Sequence, residues 1–130
     1  MACKIRRTEM IIQFTIPELP VTLNLLMRMH YQKRGVYDRR WKEQVHWTLI
    51  AEGLLPPKLF SKAEIFLYRF SPRMLDFDNL VGSFKPVVDA LKGVVIVDDR
   101  KAILGDRWEV SQIQCRKADS RIVVRVEERS

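Results

Sequence analysis

One passage of the chain changes its hydrophobic periodicity within a few residues, and this change constrains the fold more than any other feature. Residues 63–70 form a short apolar and aromatic run that is typical of a β-strand. Four apolar residues then recur at helical spacing: Leu80, Phe84, Val87 and Leu91. The sequence therefore predicts a strand-to-helix junction around residues 71–79, where side chains are held on a fixed backbone.

A local excess of aspartate begins in the same passage. Six of the eight aspartates lie between residues 76 and 106, and none of the eight glutamates does: Asp76, Asp78, Asp89, Asp98, Asp99 and Asp106. The whole chain has a formal net charge of +7. Like charges held together cost free energy unless a cation neutralises them. We therefore expect this cluster to bind a divalent metal ion.

The Asp76-x-Asp78 pair places two short carboxylates next to each other at the junction. The apolar run 94–97, predicted to be a buried strand or an extended segment, brings Asp98 and Asp99 to its end, and either could supply a third carboxylate. Oxygen ligands of this kind suit Mg²⁺. A bound metal lowers the pKa of a water ligand and neutralises charge on an attacked phosphate, so the set favours phosphodiester hydrolysis. Lys85 could contact the same phosphate.

Each of these residues also has a simpler interpretation. Asp78 or Asn79 could cap the following helix. Asp98 and Asp99 could belong to an ordinary charged turn, and Asp89 could pair with Lys85 on a solvated helix face. Pro86 either kinks this helix or opens a second short helix.

The remaining patterns indicate the fold class. Strands are predicted at 10–16, 63–70, 108–115 and 121–126, and a helix at 38–51. Residues 24–35 are not assigned to a helix or a loop. All three tryptophans are expected in the core: Trp41, Trp47 and Trp108. We expect a small α/β (α+β) fold, a single domain over 1–130, with a mixed sheet of about four to five strands packed against two main helices.

The charge of the chain indicates its partners. The chain has 23 Lys and Arg against 16 Asp and Glu, a balance that favours nucleic acid. Residues 28–42 contain six basic residues and one acid. Candidate phosphate contacts in this region are Arg28, Lys33, Arg34, Arg39 and Arg40. There is no apolar stretch long enough for a membrane span and no strong signal-peptide pattern, and the two cysteines suggest reduced thiols, so we expect no membrane partner and a cytoplasmic protein.

An ordered set of motifs resembles the RusA family of Holliday junction resolvases. The matching parts are an Asp-x-Asp-Asn-Leu start, a Lys four residues before Asp-Ala-Leu, a short apolar run, and an Asp-Asp pair: residues 76–80, Lys85, 89–91, 94–97 and 98–99. The resemblance covers about a quarter of the chain and implies a homodimer that cuts four-way DNA junctions in recombination and repair, using Mg²⁺ with Mn²⁺ as a possible substitute. By position it implies Asp76, Asp78 and Asp99 as metal ligands and catalytic carboxylates.

The resemblance also assigns supporting roles. Lys85 becomes a supporting catalytic residue, and Asp98, Asp89 and Asn79 lie around the site. The basic run that can precede the first aspartate in the family is reduced here to Arg73, a further candidate DNA contact. The spacing from Asn79 to Lys85 is about three residues longer than in the family pattern. Two other functions therefore remain open: a catalytically weak or inactive DNA-binding protein of the same fold, and a small metal-dependent nucleotide phosphohydrolase.

Overall fold

The computed structural model describes residues 10–98, 102–103 and 108–129. Within these residues the chain forms four strands, four α-helices and one 3₁₀ turn. In chain order they are β1 (Ile11–Ile16), α1 (Leu23–Arg28), α2 (Tyr31–Ala51), β2 (Ala63–Ser71), α3 (Phe77–Ser83), α4 (Lys85–Leu91), β3 (Glu109–Gln114), the 3₁₀ turn (Lys117–Asp119) and β4 (Arg121–Glu128). No described helix combines the length and the apolar character needed to cross a membrane.

The four strands form one mixed sheet in the order β1-β4-β2-β3. β4 is antiparallel to both of its neighbours, and β2 and β3 are parallel. A parallel pair cannot be joined by a tight turn, and the chain between β2 and β3 contains α3 and α4. The predicted α+β class with a mixed sheet of four to five strands is therefore confirmed.

The core lies between the sheet and the helices α2 and α4. Alternate residues of β1, β2 and β4 are buried, as the period of two requires, and α2 contributes the stripe Trp41, Val45 and Leu49. The expectation for Trp47 was wrong: its side chain is 68% exposed. Trp47 lies six residues after Trp41, and at 3.6 residues per turn this places it about 120° around the helix from Trp41, away from the buried stripe.

Helix α2 begins earlier than the predicted residue 38. It starts at Tyr31, and the side chain of His30 caps it by accepting a hydrogen bond from the backbone N–H of Gln32 (3.3 Å). Its first two turns carry no apolar stripe, because Tyr31 and Val36 are exposed. Hydrophobic periodicity therefore appears only where the helix reaches the core, and the residues before that point gave no helical pattern.

The predicted helix after the Asp-x-Asp pair is two short helices, α3 and α4. Pro86 lies in the first turn of α4, where its missing N–H costs no intrahelical hydrogen bond. Of the two interpretations of Pro86, the one in which it opens a second helix is confirmed.

Residues 94–97 do not form a strand. They make a buried turn with isolated bridges, in which the backbone N–H of Val95 donates to the carbonyl of Leu91 (2.9 Å). Phe60 supplies the other partners: its N–H donates to the carbonyl of Val95 (2.8 Å), and its carbonyl accepts from Val97 (3.0 Å). The apolar run is buried because it packs in the core, but no neighbouring strand extends the pairing.

Candidate functional site

The loop that leads to the first aspartate is held by side chains from β3. The amide of Gln112 binds the backbone of Leu75 in both directions: its Oε1 accepts from the N–H (2.9 Å), and its Nε2 donates to the carbonyl (2.8 Å). Gln114 donates to the carbonyl of Pro72 (3.2 Å). These contacts are possible because β3 lies beside β2 in parallel register. The backbone immediately before Asp76 is thereby fixed.

The side chain of Asp76 caps helix α3. Its Oδ1 accepts from the backbone N–H of Asn79 (2.9 Å), and the Asn79 side-chain amide donates to Oδ2 (3.3 Å). The Oδ1 of Asn79 in turn accepts from the backbone N–H of Asn24 (3.0 Å), at the start of α1. The expectation that Asp78 or Asn79 is the cap was wrong. Only the residue before the first helical turn can reach these N–H groups, and that residue is Asp76.

Asp78 lies in the first turn of α3 and is exposed. Its carboxylate has no hydrogen bond or ion pair with any residue that the structure describes. Asp76 accepts one hydrogen bond at each oxygen, and each oxygen retains acceptor capacity. The chemistry of this donor set suits Mg²⁺, which is held by one or two carboxylates and keeps several waters. Asp76 and Asp78 are therefore the described residues that fit a metal.

The third predicted ligand, Asp99, lies outside the described residues, as does Asp106. Asp98 is described and is exposed after the buried turn. Across residues 10–98, 102–103 and 108–129, no group of three or more His, Cys, Asp or Glu side chains is arranged to hold a metal ion.

Lys85 and Asp89 contact each other on the exposed face of α4. The ammonium of Lys85 lies 3.0 Å from Asp89, and Lys92 lies 3.5 Å from the other oxygen of that carboxylate. This is the ion pair on a solvated helix face that the sequence analysis gave as the simpler interpretation of Asp89. Since both side chains of the Lys85–Asp89 pair are about half exposed, the pair contributes only a few tenths of a kcal/mol.

A pocket of about 440 Å³ opens beside Asp76, and its lining residues are Thr22, Asn24, Arg69, Arg73, Met74, Leu75, Asp76 and Asn79. Three predicted site residues meet here: Asp76, Asn79 and Arg73. Two arginines face one carboxylate in the lining. The described lining residues therefore carry a net positive charge, although Asp76 belongs to the acidic part of the sequence.

Arg69 is a residue that the sequence analysis missed. It projects from β2, is 7% exposed, and donates from Nη1 to the carbonyl of Pro20 (2.9 Å). Its Nε is buried without a hydrogen-bond partner, and no described carboxylate lies within the 4.0 Å of an ion pair. Burial lowers the pKa of the Arg69 guanidinium below its ordinary value, against a smaller opposing effect of Tyr37. The group still remains charged at neutral pH.

Two sequence signals could have identified these missed residues. Arg69 is in phase with Ala63, Ile65 and Leu67, so strand alternation already placed an arginine on the buried face of β2. Gln112 is in phase with Val110, which packs against the core. A polar residue in phase with a buried stripe indicates a partner supplied by another element.

The predicted DNA contacts on α1 and α2 have separate surroundings. Arg28 and Lys33 border a shallow concavity of about 340 Å³, and Arg39 borders another between α2 and α4. Two others are paired with acids: Arg34 lies 3.3 Å from Asp38, and Arg40 contacts Glu18. Of the six predicted DNA contacts, Arg73 is the one that lines the Asp76 pocket.

No protein-family model matches the chain, and a search of curated proteins finds no match. The likeness to the RusA family therefore rests on the motif residues alone.

Proposed function

We propose that the protein is a Mg²⁺-dependent endodeoxyribonuclease that acts on four-way DNA junctions. The observation that carries the proposal is the presence of Asp76 in the lining of a pocket that also contains two arginines. A carboxylate pair able to hold a metal, next to cationic groups able to hold phosphate, is the combination that phosphodiester hydrolysis needs. The ordered RusA-like motifs support DNA junctions as the substrate.

The residues of the chain take distinct roles in this proposal. Asp76 and Asp78 would hold the metal together with Asp99, and the bound ion would supply an activated water and charge neutralisation. Asn79 and Gln112 orient Asp76, through the helix cap and through the backbone of Leu75. Arg73 and the basic residues of α1 and α2 would contact the DNA backbone. Manganese would substitute for magnesium, because both prefer oxygen ligands.

We further propose that the active form is a homodimer. Resolution of a junction requires paired cuts on opposite strands, and a two-fold dimer presents two equivalent sites. Light scattering of the protein alone and bound to a junction would measure this, and a single protomer per cleaved junction would contradict it.

Asp78→Asn is the sharpest test of the activity. Asp78 is exposed and makes no hydrogen bond with a described residue, so the change removes a metal ligand without removing the cap that Asp76 provides. Cleavage of a synthetic four-way junction in Mg²⁺ should fall by at least about 100-fold. Binding in EDTA should change by less than about twofold, or tighten, because one negative charge is removed.

Glu43→Gln is the matched control. Glu43 is an exposed carboxylate on α2, and its replacement changes the net charge by the same amount. This variant should cut at the wild-type rate. Full cleavage by Asp78→Asn, or cleavage by the wild type in EDTA, would contradict the proposal.

A DNA-binding protein without cleavage activity is the second candidate. The observation that favours it is the pairing of Lys85 with Asp89 on the outside of α4, away from the lining of the Asp76 pocket. Salt-dependent junction binding with no cleavage in Mg²⁺ or Mn²⁺ would support this candidate against the first.

A further inference from the structure

We propose that Arg69 and Arg73 form a subsite for a backbone phosphate of DNA, beside the metal-binding carboxylates. The pocket is separate from the basic residues of α1 and α2 that the charge pattern of the sequence singles out. That the phosphate belongs to DNA rests on the proposed function. That a phosphate binds here rests on the residues that line the pocket.

The first argument is the cost of the buried charge. Arg69 is more than nine-tenths buried, and among the described residues it has no carboxylate partner and one partner for its guanidinium, the carbonyl of Pro20. Its Nε has none. Buried charges in proteins are normally paired, because desolvation costs several kcal/mol per ion. A protein that retains an unpaired buried cation at the wall of an open pocket has a place for an anion that arrives from outside.

The second argument is the charge balance of the lining. Among the described lining residues, Arg69 and Arg73 stand against one carboxylate, that of Asp76. Because Arg69 is buried, its charge is poorly solvated, and an anion in the pocket would supply the missing opposite charge. Arg73 is exposed and can contact the anion directly. Asn24 and Thr22, also in the lining, add polar groups.

The third argument is location. The pocket wall is continuous from Arg69 on β2, through the 72–75 loop, to Asp76. Successive phosphates of a DNA strand are close neighbours, so a duplex or junction arm bound at Asp76 brings an adjacent phosphate to the pocket that Asp76 lines. Phosphate contacts of this kind set the register of the DNA and carry no sequence information. The subsite would position the strand for cleavage at Asp76 and Asp78.

Two measurements without metal test the subsite. In EDTA, inorganic phosphate should raise the melting temperature of the wild type by a few degrees, relative to chloride at the same ionic strength. Arg69→Met, which keeps an unbranched apolar stem and removes the charge, should lose this shift. Arg69→Lys should keep part of it. In DNA binding, Arg69→Met should weaken the complex roughly tenfold and reduce the salt slope by about one, for every DNA sequence tested.

Lys58→Met is the control. Lys58 is exposed in the loop before β2, at the end of the strand opposite the pocket, and its loss should leave the phosphate shift unchanged. If Arg69→Met fails to fold, Arg73→Met serves instead, because Arg73 is exposed and lines the same pocket. It should also diminish the phosphate shift and the salt slope.

A phosphate shift that persists in both Met variants would overturn the subsite. If the Met variants lose the phosphate-induced shift in melting temperature but keep the wild-type salt dependence of DNA binding, the subsite binds free phosphate and not a phosphate of DNA. The proposed function has its own test, which is cleavage of a junction by the wild type in Mg²⁺. If the wild type does not cut, the nuclease proposal fails, and the phosphate measurements still decide whether the subsite exists.

Discussion

The close contact between α1 and α3 leads to a stability prediction that can be calculated from the structure. Gly82, in α3, faces Leu23 at the start of α1. A Cβ atom built on Gly82 would lie 2.8 Å from three atoms of Leu23: Cβ, Cδ1 and Cδ2. Ordinary carbon contacts lie at about 3.5–4.0 Å. One of the three atoms is the Leu23 Cβ, which moves only with its backbone, so Gly82→Ala must push the two helices apart.

The expected change in the free energy of unfolding of Gly82→Ala follows from two opposing contributions. Replacing a glycine inside a helix by alanine gains about 0.5–1 kcal/mol from the unfolded chain and from helix propensity. Overpacking a close contact costs about 1–3 kcal/mol. Gly82→Ala should therefore destabilise the protein by about 1 kcal/mol. Gly35, inside α2, has no atom within 4 Å of its built Cβ, so Gly35→Ala should stabilise it by about 0.5–1 kcal/mol.

Urea denaturation of the two variants and the wild type measures their free energies of unfolding. The values for Gly35→Ala and Gly82→Ala should differ by about 2 kcal/mol. The same displacement should lengthen the bond from the Asn24 N–H to Asn79, now 3.0 Å, and so loosen the support of Asp76. Cleavage by Gly82→Ala should therefore fall more than its lost stability explains. Equal stabilisation by Gly82→Ala and Gly35→Ala would refute the reasoning, since the contact with Leu23 would then impose no cost.

Two further predictions concern the core and the end of β4. Trp41 is 1% exposed and Trp47 is 68% exposed, so Trp41→Ala should cost about 3–5 kcal/mol and Trp47→Ala less than about 0.5 kcal/mol, measured by urea denaturation; equal losses would contradict the placement of α2. Hydrogen bonds from Arg125 and Arg129 lower the pKa of Glu127, so its contribution is present above the unfolded value of about 4.3 and is lost as the pH falls through the lower folded value. Glu127→Gln should destabilise the protein at pH 7 by up to about 1 kcal/mol, and the gap should close below pH ~4 in thermal melts; a gap that widens in acid would contradict it.

The parts of the site that could be predicted are those that depend on local spacing. The strand before residue 71 and the helix after residue 76 follow from hydrophobic periods of two and 3.6 residues, and both exist. The missing N–H of Pro86 left two outcomes, a kink or a second helix, and the structure shows the second helix. These patterns were sufficient to place Asp76 and Asp78 at a strand-to-helix junction, although the helix begins at Phe77 and Asp76 is its cap.

The tertiary structure alone decided what surrounds these carboxylates. Sequence spacing could not show that Gln112 would bind the backbone of Leu75, because the two residues meet through strand pairing 37 positions apart. It also gave Arg69 no role, since the charge of that residue matters only once it is buried beside a pocket that Asp76 shares.

The sequence alone thus predicted the four strands of the sheet and the location of the Asp76–Asp78 pair, because each depends on residues within a few positions of one another. The tertiary structure determined the sheet order, the hydrogen bonds of Gln112 to the backbone of Leu75, and the burial of Arg69 without a carboxylate partner among the described residues. These depend on which distant segments pack together, and packing is governed by the burial of the whole core rather than by any local pattern.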